Sequence, residues 1–117
     1  MYLLHRVFFL LVIIGGALVL TACPSKTTVA KINQNPSRYQ NQQVGLIGTV
    51  TDSYGLLGNG IYELDDGTGR IWVMTTRGVP TKGTRVGASG RVHTGVSYGG
   101  RTYGTVLQEE DRRTKSN

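Results

Sequence analysis

Between Val44 and Glu110 the apolar residues recur at every second position, and glycine breaks the runs before any grows long. Period two places successive side chains on opposite faces of an extended strand, whereas an amphipathic helix needs apolar residues three and four apart. In VGLIGTVTDSYG, Val44, Leu46, Gly48 and Val50 share one face. Gly48 within that face is read as a bend or bulge, because a strand wrapping a small barrel needs one place without a side chain. In GIYELDD, Tyr62 and Leu64 lie opposite Ile61, Glu63 and Asp65; in RIWVMTT, Ile71 and Val73 lie opposite Arg70, Trp72 and Met74. TRVGASGRVHT aligns Val86, Ala88, Gly90 and Val92, and VSYGGRTYGTVLQEE aligns Tyr103, Thr105 and Leu107 after a Gly99-Gly100 turn or bulge. DDGTG reads as a tight hairpin with Gly67 and Gly69 at positive φ, and RGVPTKG as a loop closed by Pro80 and Gly83. Five short strands with one apolar face must close on themselves or cover their edges, and a five-stranded barrel does this most economically.

The residues ahead of the strands follow other rules. VAKINQNPSRYQNQQ has Val29 and Ile32 three apart, then the Asn35-Pro36 break and Tyr39. That spacing predicts one or two helical turns, and the three apolar residues are placed to plug one end of a barrel. CPSKTT is a short polar tether. MYLLHRVFFLLVIIGGALVLTAC opens with a short basic region, Arg6 with His5 beside it, and the sixteen residues from Val7 to Ala22 carry no charge. Such a segment ending in small residues reads as a helical export signal, shorter than the roughly 20 apolar residues of a comfortable membrane span.

Leu20-Thr21-Ala22-Cys23 resembles the lipobox of bacterial lipoproteins. The resemblance implies cleavage before Cys23 and acylation of its thiol, with membrane lipid as the first partner. Each buried methylene of an acyl chain contributes about 0.8 kcal/mol, so several chains anchor stably. Cys23 is the single cysteine, which excludes an intramolecular disulfide. Pro24, standing where an Asp favours inner-membrane retention in enteric-type lipoproteins, implies the outer membrane if the organism has one. The expected organisation is a signal peptide over 1–22, a tether over 23–28, a barrel over 29–110 and a basic disordered tail over 111–117.

The formal charge of +6 and pI near 9.8 invite a nucleic-acid reading, but the distribution opposes it. Between Val44 and Glu110 six basic residues balance six acidic ones, so the barrel is neutral. The excess lies at the ends, in Lys26, Lys31 and Arg38 and in Arg112, Arg113 and Lys115. A basic tail beside an anchor is able to touch anionic lipid or cell-wall polymer; the plainer reading is a solvated tail.

Over residues 29 to 110, the order V..I..NP..Y....V...G.V, then IYELDDGTGRIWV, then G.P..G..V...G.V resembles the bacterial OB-fold domains, in particular small exported ones and the anticodon-binding type. The resemblance implies an all-β fold, a five-stranded OB-like Greek-key barrel with a short N-terminal helical segment, preceded here by the helical signal peptide. One departure is that TRGVPTKG leaves little room for the usual helix between the third and fourth strands, so residues 29–39 are expected to close the barrel instead.

In OB folds the outer face of strands two and three is the usual binding surface. Period two sends Arg70, Trp72 and Met74 there, together with Ile61 and Glu63 on the neighbouring strand and Thr49 and Thr51 on the first. Trp72 beside Arg70 makes a flat stacking platform with a guanidinium, suited to a nucleobase, a sugar ring or a peptide aromatic. Tryptophan is usually mostly buried, so a core role under the N-terminal segment or the tail, an open ligand face and a protein interface all stay open. Tyr54 and Tyr98, placed in turns, would rim the site, Tyr62 belongs to the core, and Tyr103 fits either.

No catalytic constellation is legible. His93 is the one histidine beyond the export signal, too few for a zinc site, and DDGTG lacks the oxygen spacing of a calcium loop. Ser37, Ser53, Ser89 and Ser97 have no visible histidine–acid partners. His93 and Tyr98 stand five apart, where the membrane-anchored haem chaperone of cytochrome c maturation has four. The expectation is therefore a non-catalytic module without cofactor or metal, displayed on the cell envelope and engaging an envelope protein, a peptide or a glycan. Single-stranded nucleic acid (or oligosaccharide) on the OB face is the alternative, the first disfavoured by the neutral barrel, and a structural lipoprotein without a dedicated ligand is the third reading.

Overall fold

A computed structural model describes residues 25–115. The export signal over 1–22 and the lipidation candidate Cys23 lie outside the described residues, as do residues 116 and 117. The alternating segments form β2 to β6 of an ordered series: β1 (Ser25–Lys26), α1 (Val29–Gln34), α2 (Pro36–Tyr39), β2 (Gln43–Leu56), β3 (Asn59–Asp65), β4 (Arg70–Thr75), β5 (Arg85–Tyr98) and β6 (Arg101–Lys115). Strands β2, β3, β4, β6 and β5 are hydrogen-bonded in that order, and β5 pairs back onto β2 to close a five-stranded barrel. The barrel pairs are antiparallel except β4 with β6, which run parallel.

Closure depends on β2, which pairs residues 43–49 with β5 and residues 49–56 with β3. Gly48 sits at the changeover, and a Cβ there would overlap the backbone carbonyl of Asp65. Of the bend or bulge expected at Gly48, the bulge is not there: Gly48 marks a close backbone approach where β2 changes partner. The bulge lies at Thr51, the extra residue between the pairs Val50–Leu64 and Asp52–Glu63.

Inside the barrel, the predicted face of each strand meets in one apolar cluster: Val44, Leu46 and Val50, Tyr62 and Leu64, Ile71 and Val73, Val86, Ala88 and Val92, and Leu107. Val29 and Ile32 of α1, both fully buried, join it, and Tyr39 packs against it. Burying such side chains is worth about 1.5–3 kcal/mol each, which is how two helical turns are held in place.

The DDGTG turn explains where α1 sits. Asp66 accepts the backbone N–H of Val29 (2.9 Å), while its other oxygen accepts the N–H groups of Thr68 and Gly69 and the Thr68 hydroxyl. Thr68 Oγ1 accepts the N–H of Ala30, and Thr28 caps the same helix from within the chain. Burial alone would raise the Asp66 carboxyl, but the Thr68 hydroxyl and the three backbone N–H groups outweigh it and hold it below the ordinary carboxylate value. Gly67 takes the positive φ expected (89°). Gly69 does not take the positive φ expected of it; a Cβ there would stand in tight contact, 3.2 Å from a Val29 methyl.

The opposite end is closed by the loop over 76–84, which contains no helix. Ser53 donates to Pro80 O (2.6 Å), and Val79 packs on the core. Beneath it, the fully buried Glu109 side chain accepts the Tyr62 hydroxyl and the Thr75 hydroxyl (2.9 Å), and pairs with Arg112 at 3.4 Å. Arg112 also donates to the carbonyls of Gly78 and Arg77. Burial, then the hydrogen bond and charge of Glu109, push the Tyr62 phenol far above its ordinary value.

Two boundaries shift. The tether predicted over 23–28 is folded from Ser25 onward, because Ser25 and Lys26 pair in parallel with Val44 and Gly45. The basic tail predicted from 111 is strand as far as Lys115, with Asp111 opposite Ser89 and Arg112 opposite Ala88. Strand β6 extends because β5 offers it a partner down to Arg85, a long-range pairing that local charge does not reveal.

Candidate functional site

Backbone register orders the outer face of β2, β3 and β4 into rows. Thr49, Asp65 and Arg70 form one; Asp52, Glu63 and Trp72 the next; Tyr54, Ile61 and Met74 the third. The second and third rows continue onto β6 as Val106 and Gln108. Thr51 reaches this face from the bulge and donates to Glu63 Oε1 (2.8 Å). All seven ligand-face candidates thus lie together, but with different exposure. Trp72, Met74, Glu63, Thr49 and Thr51 are half-buried, Arg70 is exposed, and Ile61 is buried.

Trp72 is not part of the barrel core. Its indole meets the Tyr54 ring at 6.1 Å (33° between planes) and the Tyr103 ring edge-on at 5.2 Å (68°). Such pairs contribute about 0.5–1.5 kcal/mol beyond area burial. Ile61 and Val106, at 1% and 0% exposure, belong to this outer side and lie outside the core cluster. The outer face thus carries an apolar layer of its own beside the three rings.

The cation at the indole is not the one expected. Arg70 reaches sideways to Asp65 (3.3 Å) and Glu63 (3.7 Å), with most of its side chain in solvent. Those exposed pairs are worth little energetically but draw its guanidinium toward carboxylates on β3. Arg101 instead lies 5.9 Å from the Trp72 ring centre and 5.2 Å from that of Tyr103. Tyr54 donates to Asp52 Oδ2 (2.8 Å), and that hydrogen bond, with the Asp52 charge, raises its phenol.

Unbroken parity does not put Asp52, Tyr54 and Tyr103 on this face; bulges in two different ladders do. The Thr51 bulge shifts parity along β2, so that Asp52 and Tyr54 point outward although period two from Val50 puts them inside. Tyr54 is in a strand, not in a turn. Likewise Tyr103 is the extra residue between the pairs Ser97–Thr102 and Val96–Gly104, which removes it from the face of Leu107. Arg101 follows the same bend. Tyr98 sits at the hairpin tip opposite Arg101, and His93 lies opposite Val106.

Among the described residues no group of three or more His, Cys, Asp or Glu is arranged to hold a metal ion, and no helix is long and apolar enough to cross a membrane. A cleft of about 600 Å³ opens elsewhere, over Gly45, Ile47, Gly87 and Ser89, and none of the candidate residues lines it.

No protein-family model matches the sequence, and no curated protein is significantly similar to it. Solved structures share its architecture. A putative aspartyl-tRNA synthetase from Leishmania major Friedlin superposes with a TM-score of 0.60 at 12% identity, over 80% of this chain and 21% of its own. A chain of the S. pombe Stn1-Ten1 complex superposes with a TM-score of 0.49 at 14% identity, over 64% of this chain and 59% of its own. The barrel is an OB fold. The chain spans only part of the length of either structure, and at 12% identity the likeness to the synthetase speaks for the fold alone.

Proposed function

We propose that this chain is a non-catalytic binding module, tethered to the cell envelope by lipid on Cys23, that engages its partner through the outer face of β2, β3 and β4. The single observation behind this reading is the position of Trp72. A costly aromatic side chain is held half-buried on the outside of the barrel, between the β2–β3 and β5–β6 hairpins that flank the ligand surface in OB folds. The partner class is an envelope protein, a peptide or a glycan, and membrane lipid meets the protein at Cys23, in the outer membrane where the organism has one. Ligand titration followed by emission of this one tryptophan tests the face. Trp72→Ala is expected to abolish binding while the protein keeps its cooperative unfolding transition. Loss of the fold in that variant would return Trp72 to a structural role. For the anchor, Cys23→Ser is expected to remove both the lipid mass and membrane retention.

Single-stranded nucleic acid is the second reading, favoured by one observation: aromatic rings on the outer face with a guanidinium beside them are the kind of surface on which the bases of such strands stack. Against it stand Asp52, Glu63 and Asp65 on the same face, where a phosphate chain needs positive charge. Tight, strongly salt-dependent quenching of Trp72 by an oligonucleotide would favour it.

A further inference from the structure

Strands β5 and β6 leave the barrel together. The ladder of β5 on β2 ends at Arg91 opposite Gln43, with Val92 bridged to Gln40, and the ladder of β6 on β4 begins at Val106 opposite Trp72. Among the described residues, 94–105 therefore pair only with one another. At the base of this ribbon stand Gly95 and Gly104, with φ of 69° and 72°, beside two register shifts. Glycine adopts that backbone region without strain, and Arg101 and Tyr103 of the ribbon reach Trp72 on the outer face.

What the tip brings is a cation and a ring. Arg101 and Tyr103 are two residues apart, and both land on Trp72. Trp72 and Tyr54 are the fixed rings of an aromatic corner that Tyr103 of the tip completes, of the kind that holds cations through ring quadrupoles. Arg101 occupies it and makes no salt bridge among the described residues. Without the tip, the rows around the indole present three carboxylates, Asp52, Glu63 and Asp65, against one guanidinium, Arg70.

We infer that the tip is a stand-in ligand, and that the partner replacing it is a peptide segment with Arg or Lys two residues from an aromatic side chain. This rests on the reading of the Trp72 face as a binding surface and adds both a partner class and a control. The acidic rim selects a basic segment and repels a phosphate chain. An intramolecular competitor on a short ribbon acts at high effective concentration. A tip seated nine-tenths of the time weakens apparent binding about tenfold.

The test is calorimetric titration of the full-length protein and its Arg101→Ala/Tyr103→Ala variant with a synthetic heptapeptide of the sequence of residues 98–104. The comparison probes are the same peptide with Glu in place of Arg, and a single-stranded oligonucleotide. The variant is expected to bind the basic peptide about tenfold more tightly than the parent, and neither protein to bind the Glu peptide. Equal affinity for parent and variant would overturn the stand-in role while leaving the face intact. Oligonucleotide binding without peptide binding would overturn the partner class alone. No binding of any probe to either protein would overturn the inference and the binding face together. Should the double variant fail to fold, Arg101→Gln carries the same expectation with a smaller gain.

Discussion

Arg112 and Arg101 each lie over an aromatic ring at nearly equal distance, with opposite consequences. Arg112 is 5.7 Å from the Tyr62 ring centre, and Arg101 is 5.9 Å from that of Trp72. Around Tyr62 every polar group has a partner: Glu109 takes the phenol, Thr75 and Arg112, and Arg112 is further held by two loop carbonyls. Around Trp72 the indole and the Tyr103 ring are half-buried, Tyr54 is exposed, and the guanidinium has aromatic faces for neighbours. The same pair of residue types thus builds a saturated brace at one place and an unsaturated surface at another. Saturation, more than residue type, separates structure from site, because a satisfied buried network has nothing left to offer a ligand.

The largest effect should come from emptying the brace. Glu109→Ala leaves a largely buried guanidinium without its carboxylate and is expected to cost about 3–5 kcal/mol in urea unfolding. Trp72→Ala, removing a half-buried ring, should cost about 1–2 kcal/mol while abolishing ligand binding. A cost as large as that of Glu109→Ala would erase the contrast between the two clusters. Arg101→Ala should change stability by no more than about 0.5 kcal/mol and shift Trp72 emission to the red.

Acid and alkali sharpen the comparison from the other side. The Tyr62 phenol is raised in the folded state, so its contribution is complete below the unfolded value of about 10 and is lost as pH climbs above it. Stability should fall in alkali, and Tyr62→Phe should flatten that fall at the expense of a lower plateau near neutrality. Asp66 has the opposite sign. Its folded value is lowered, so its contribution is present above the unfolded value of about 3.9 and is lost as pH falls through the folded one. Asp66→Asn should remove part of the acid sensitivity, measured as urea midpoints against pH, and should loosen α1.

The barrel was legible because its core obeys one local rule. Val44, Leu46, Tyr62, Leu64, Ile71, Val73, Val86, Ala88 and Val92 all point inward as period two requires. The site was half legible. Glu63, Trp72 and Arg70 fell on the outer face by the same count, but the cation next to the indole is Arg101, not Arg70. Asp66 and Glu109 carried no sequence signal for their bracing roles, since Val29, Tyr62 and Thr75 stand 34 to 47 residues away from them in the chain.

From the chain's own order came the five alternating segments, the apolar plug at Val29 and Ile32, and the outward turn of Trp72. These follow from side-chain parity within an unbroken strand, which needs no knowledge of neighbours. Only the folded barrel decided that Thr51 and Tyr103 would be extra residues in their ladders, bringing Tyr54, Arg101 and Tyr103 around the indole. A bulge is a mismatch between two paired strands, so it exists only once both partners and their register are set.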